Sequence, residues 1–160
     1  MVKRVTIEKR PAPLLKRGFA YIIDVLIIDL VIVLPFNKII KNIQGNDAGF
    51  FYNYKFLLNN PEKTSQLLLI SLVIGALSLA YWTILEFKLR QSIGKIIMNI
   101  KVMSKKKNFS AMQCFVRNIS KVITLLLLID IIYLLIKRKN SQRYFEKISD
   151  TIVTEEVLKT

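Results

Sequence analysis

Arg17–Pro35 reads RGFAYIIDVLIIDLVIVLP, and this stretch decides the architecture. It is long and apolar enough to cross a bilayer, yet it carries Arg17, Asp24 and Asp29. A spanning helix needs about 20 mostly apolar residues, and an aspartate near its centre costs roughly 2.5–3.5 kcal/mol on insertion scales. Such residues face a protein interior or a wet cavity and have partners there. At about 100° and 1.5 Å per residue, Arg17 and Asp24 share a face about 10 Å apart, whereas Asp29 is turned about 140° from Asp24. The acids therefore either hold this helix to its neighbours or take part in moving protons or ions. Arg17, at the helix start, has a stem long enough to snorkel towards the headgroups.

Outward from this run, apolar and basic stretches alternate along 160 residues, the pattern of a polytopic membrane protein. The excess of 25 Lys and Arg over 11 Asp and Glu gives a net charge of +14. The basic residues flank apolar runs and no nucleic-acid motif, so the expected partners are the lipid bilayer and its anionic headgroups, not nucleic acid. Histidine is absent and Cys114 is the sole cysteine, which excludes an intrachain disulfide, a Cys/His zinc site and a His-dependent triad. Cys114 reads as a packed, inert thiol. No phosphate-cradling glycine pattern occurs, so neither catalytic residues nor cofactor are expected, and the chain is not read as an enzyme.

Residues 1–16 form a basic tail with Lys3, Arg4, Lys9, Arg10 and Lys16 against Glu8. Pro11 and Pro13 should hold it extended. This flank places the N-terminus in the cytoplasm of a multi-pass cell-membrane protein. The chain should leave the membrane at Pro35 and stay polar to Lys63, with Phe50, Phe51, Tyr52, Tyr54 and Phe56 as an interfacial belt. Leu67–Leu85 is an uncharged second span, capped by Thr64 and Ser65. Ser71, Gly75 and Ser78 place small residues on one stripe where another helix can approach. Glu86 at its far end reads as an interface anchor and a partner for an arginine.

Lys88–Lys121 contains nine basic residues and no acid. Within it Ile93, Ile96, Ile97, Ile100 and Met103 recur at helical spacing, the pattern of an interfacial amphipathic helix. Val122–Ile136, VITLLLLIDIIYLLI, is a third apolar run interrupted by Asp130. It reads as a crossing once Ile119–Lys121 is included with Lys121 snorkelling, although that strands the basic Lys137-Arg138-Lys139 outside. No Gly or Pro is present to break it. The resulting expectation is an all-α membrane protein with about three transmembrane helices plus an interfacial amphipathic helix. Residues 17–139 would form the membrane domain and 140–160 a polar tail.

Several short motifs resemble one family. Arg17-x-x-Ala20-x-x-Ile23-Asp24 resembles the opening of the RDD family of small membrane proteins. Gln91-Ser92-Ile93-Gly94-Lys95 with Ile100-Lys101-Val102 is similar to its connection after the second span. Arg117-Asn118 and Gln142-Arg143-x-x-Glu146 with Thr151-Ile152-Val153 are similar to its C-terminal signature. The family's name records an arginine and two aspartates. Arg17 and Asp24 match the first pair, while the second aspartate falls at Glu146 and Asp150 stands where the family usually has Gly. The resemblance implies a helical membrane domain with a transport-related role. Two functions follow: moving protons or monovalent cations, with Asp24 and Asp130 as carriers and Asp29 against another neighbour, or non-transporting assembly with a membrane-protein partner. Three short spans enclose little cavity, which favours a homo-oligomer or the scaffold.

Overall fold

The computed structural model describes residues 6–45, 56–106, 108–136 and 142–159. Lys137-Arg138-Lys139 and the aromatic residues Phe50, Phe51, Tyr52 and Tyr54 lie outside them. The chain divides into two units, one of residues 1–25 and 79–160, the other Leu26–Ser78.

Two helices are long and apolar enough to cross a membrane, α1 at Leu14–Gln44 and α2 at Pro61–Leu89. At 31 and 29 residues they measure about 46 and 43 Å, beyond a hydrocarbon core of about 30 Å. Pro35 does not end α1 as expected. Its ring and missing N–H disrupt an α-helical turn, and a π-helical turn at Asp29–Val33 directly precedes it, with the Leu34 N–H reaching the Asp29 carbonyl. The helix thus continues nine residues beyond Pro35, to Gln44. Nor do Thr64 and Ser65 cap α2. They sit inside its first turns, their hydroxyls donating to the Leu57 and Glu62 carbonyls.

The rest of the first unit follows α2: α3 (Ile93–Ile97), β2 (Ile100–Ser104), α4 (Ala111–Val122), α5 (Thr124–Ile136), α6 (Tyr144–Ile148) and β3 (Thr151–Lys159), with β1 (Thr6–Pro11) ahead of α1. The described chain is mostly helical, with one addition to the all-α expectation. The strands form an antiparallel sheet in the order β1-β3-β2. Arg10 faces Glu155, and Val102 faces Val153. Pro11 is tolerated because β1 is an edge strand, where its missing N–H costs no ladder bond. Ala12, Ala20, Ile100 and Val153 form the apolar core beneath, with Met98 packed against them.

This sheet changes two expectations. The stripe Ile93–Met103 is not one amphipathic helix: α3 stops at Ile97, Asn99 takes a left-handed φ of 53°, and β2 begins. Ile100 and Val102 alternate inward around exposed Lys101, a period of two that the helical spacing concealed. The C-terminal segment, expected as a polar tail, supplies the central strand.

Val122–Ile136 is not one continuous helix. The run breaks at Ile123, which adopts an extended conformation (φ −96°, ψ 108°), without Gly or Pro. The part described is the 13-residue α5, about 20 Å long against a core of about 30 Å, so among the described residues two helices and not three have crossing length. Capping fixes the preceding helix: Ser110 Oγ accepts from the Met112 N–H and Gln113 Oε1 from the Ser110 N–H.

Candidate functional site

The first unit buries four carboxylates and three cationic side chains, with Arg17 and Arg143 half-buried beside them. Asp24, on α1, is 1 % exposed and accepts four hydrogen bonds from neutral groups. Two come from α2, Tyr81 Oη at 3.1 Å and Trp82 Nε1 at 3.3 Å. Two come from the start of α3, Ser92 Oγ at 2.5 Å and the Gly94 N–H at 2.8 Å. A Cβ at residue 94 would lie 2.1 Å from the Ala20 carbonyl oxygen, so only glycine lets α3 meet α1 this closely. Ala20 is buried at the same contact. Asp24 is thus held by dipoles from α2 and α3, and Arg17, about 10 Å along the same face, is engaged elsewhere.

Glu86, on α2, is fully buried and is no interface anchor. Arg117 forms an ion pair with it, Lys95 Nζ lies at 2.5 Å, Lys121 Nζ at 3.2 Å, and Asn118 Nδ2 donates at 2.8 Å. Arg117 Nε and Nη1 have no hydrogen-bond partner among the described residues. Three cations thus share one carboxylate. Lys95 and Lys121 correct the sequence expectation, because neither lies at an interface or snorkels. Burial holds the Lys121 ammonium down at about 8, against the attraction of Glu86. Burial and then Arg117 hold Lys95 well below the usual lysine range. Lys121 also stands 4.7 Å over the Trp82 ring.

Glu146, on α6, is fully buried and lies between two arginines. Arg17 Nη2 is 2.8 Å from Oε2, and Arg143 Nη2 is 3.1 Å from Oε1. Burial raises this carboxyl, but Arg143 and then Arg17 outweigh it and bring it to about 2. Asp130, on α5, accepts from Ser120 Oγ at 2.7 Å and from the Phe145 N–H at 3.0 Å. Gln142 Nε2 donates to the Thr151 carbonyl at 3.0 Å, and Thr151 is itself buried. Asp150 keeps the turn into β3 at a left-handed φ of 50°, a conformation aspartate tolerates better than most residues.

Arg17, Asp24, Lys95, Lys121, Asp130 and Arg143 all line one cavity of about 230 Å³. Asp24 and Asp130 share it, whereas Asp29 is exposed in the other unit. Ser71 is exposed and Ser78 buried on α2, each donating to the carbonyl four residues back, and Gly75 is half-buried between them.

The residues that carried the sequence resemblance thus meet in one network: Arg17 on Glu146, Gly94 on Asp24, and Lys95, Arg117 and Asn118 on Glu86. The RDD family pattern matches residues 11–150. The chain belongs to the RDD family. No curated relative and no solved structure matches it. Membership together with the two long apolar helices makes it a membrane protein. In this RDD protein the network uses Glu146 as its second named acid, the longer arm bonding both arginines. Glu86 was expected to meet an arginine and does meet Arg117, but its place at the centre of the network, and the parts of Lys121, Tyr81 and Ser92, were not anticipated. One signal was available: Glu86 is the only acid between Glu62 and Asp130, immediately before nine basic residues.

Proposed function

We propose that this RDD protein is a non-enzymatic, transport-related membrane protein that moves protons or monovalent cations, and that protons are the better fit. The observation carrying this reading is the cavity shared by Asp24, Asp130, Lys95 and Lys121. Four cations against two carboxylates on its walls oppose entry of a metal cation, while a buried lysine held near pH 8 can release and regain a proton under physiological conditions.

The proposed topology has two crossings, α1 and α2, in the cell membrane. Pairing of β1, β2 and β3 in one sheet supports placing the N-terminal segment, the basic connection and the C-terminal segment on one side. The basic flanks favour the cytoplasm for that side. α5 then returns without crossing, which removes the conflict over Lys137-Arg138-Lys139.

Reconstitution tests the proposal. Wild-type proteoliposomes should carry proton flux above empty liposomes, and Asp130→Asn should abolish it while remaining folded. An asparagine there can still accept from the Phe145 N–H and donate to Ser120 Oγ. Absence of H⁺, Na⁺ and K⁺ flux in a folded wild type would defeat the reading. The second reading is a non-transporting scaffold that acts as a homo-oligomer or with a membrane-protein partner. It is favoured by the fact that all four carboxylates already hold hydrogen bonds or ion pairs between elements of the unit.

A further inference from the structure

We infer that the cavity lined by Arg17, Lys95, Lys121 and Arg143 binds the anionic headgroup of an amphiphile, with the acyl chain lying against the apolar wall of α1 and α5. The first ground is charge. The network as a whole contains Arg17, Lys95, Arg117, Lys121 and Arg143 against Asp24, Glu86, Asp130 and Glu146, leaving one positive charge in excess when all are ionised. In a buried setting an uncompensated charge is costly, and a bound monoanion removes that cost. Burial, and next to it Arg117 for Lys95, lowers the proton affinity of both lysines.

The second ground is the cavity's composition and size. Besides its charged groups it is lined by Leu14, Leu127, Ile131 and Leu134, so ionic and apolar surfaces adjoin within one space. Its volume of about 230 Å³ is below the roughly 300 Å³ at which drug-sized ligand pockets begin, so it accommodates a headgroup and not a whole lipid. Arginine and lysine donors are the groups that recognise phosphate and carboxylate oxygens. A simple inorganic anion would make no use of the leucine wall.

The inference does not require transport, and binding can be read without flux. Trp82 is the only tryptophan, and it contacts Asp24 and Lys121, both of which line the cavity. Its emission is therefore a built-in reporter. Titrating the purified protein in neutral detergent with dioctanoyl phosphatidic acid should shift Trp82 emission saturably and raise the unfolding temperature. Dioctanoyl phosphatidylcholine and inorganic phosphate should do neither at the same concentration.

Gly18 lines the cavity and has nothing within 4 Å of the position its side chain would occupy. Gly18→Leu therefore fills the space without touching the ionic network, and should weaken the phosphatidic acid response at least tenfold in half-saturating concentration. Arg143→Gln should weaken it similarly wherever it remains folded. An unchanged midpoint in folded Gly18→Leu, an equal response to phosphatidylcholine or to inorganic phosphate, or no response to phosphatidic acid would each overturn the inference. Flux without binding would overturn it while leaving the transport proposal standing, and binding without flux would do the reverse.

Discussion

The Gly94 N–H donates to Asp24 Oδ1 at 2.8 Å, and the space beside that N–H is filled by the backbone of Ala20. One glycine thereby lets the start of α3 reach a carboxylate in the middle of an apolar helix. Adding a methyl group forces backbone against backbone, which side-chain rotation cannot relieve. Gly94→Ala should destabilise the protein by about 1–3 kcal/mol, the usual cost of overpacking, and the thermal midpoint in detergent measures it.

Asp24→Asn and Asp130→Asn should behave differently despite identical chemistry. Asp24 is surrounded by four donors, of which the Trp82 and Gly94 N–H groups cannot become acceptors, so an amide nitrogen there leaves a donor facing a donor. Asp24→Asn should lose about 1–3 kcal/mol of stability, the cost of a buried unsatisfied group. Asp130→Asn should stay within about 1 kcal/mol of wild type, since both its partners remain satisfiable. Denaturation of the pair side by side decides between them.

Removing the charge at Glu86 should be the most damaging single change in the network. Glu86→Gln leaves Arg117, Lys95 and Lys121 facing one another without their counter-ion. The expected loss is about 3–5 kcal/mol. Adding Lys95→Met to Glu86→Gln should recover part of it, because the repulsion falls from three cations to two. A double variant less stable than the single one would contradict this account.

Two groups give pH dependence in separate windows. Lys121 has a folded-state value of about 8, below the usual 10.5, so between these values the unfolded chain binds more protons and stability rises with pH. Glu146 has a folded value of about 2 against 4.5, so its contribution is fully present above 4.5 and is lost as pH falls through 2. Each is worth at most roughly 3 kcal/mol. Lys121→Met should flatten the alkaline limb and Glu146→Gln the acid limb in unfolding measured across pH.

Cysteine labelling checks the two-crossing topology. In a Cys114→Ser background, Lys9→Cys, Lys101→Cys and Glu156→Cys should react with an impermeant maleimide from the same side, since their strands share one sheet. Asn59→Cys, between the two spans, should react from the opposite side. Labelling of Glu156→Cys on the side of Asn59→Cys would restore α5 as a crossing.

The chain's composition and order determined that it enters a membrane: α1 and α2 are helices of crossing length with high mean hydropathy, and hydrophobic burial in lipid depends on local content alone. The motif residues Arg17, Asp24, Gly94, Lys95, Arg117, Asn118, Arg143 and Glu146 were also legible, because their types and order suffice to mark the family. Their pairings were not. Helical spacing put Arg17 and Asp24 on one face about 10 Å apart but named no partner for either, because ion pairing is settled by which groups meet in space, and Arg17 meets Glu146 across 129 residues. The strands stayed hidden for a related reason. Ile100-Lys101-Val102 satisfies both a helical and a strand period over so short a run, and only pairing with β3 chooses between them. Likewise nothing local ends the helix at Ile123. Asp130 accepts from Ser120 Oγ and the Phe145 N–H, on either side of the break and of α5, so the polar contacts that accompany the break lie outside the local sequence.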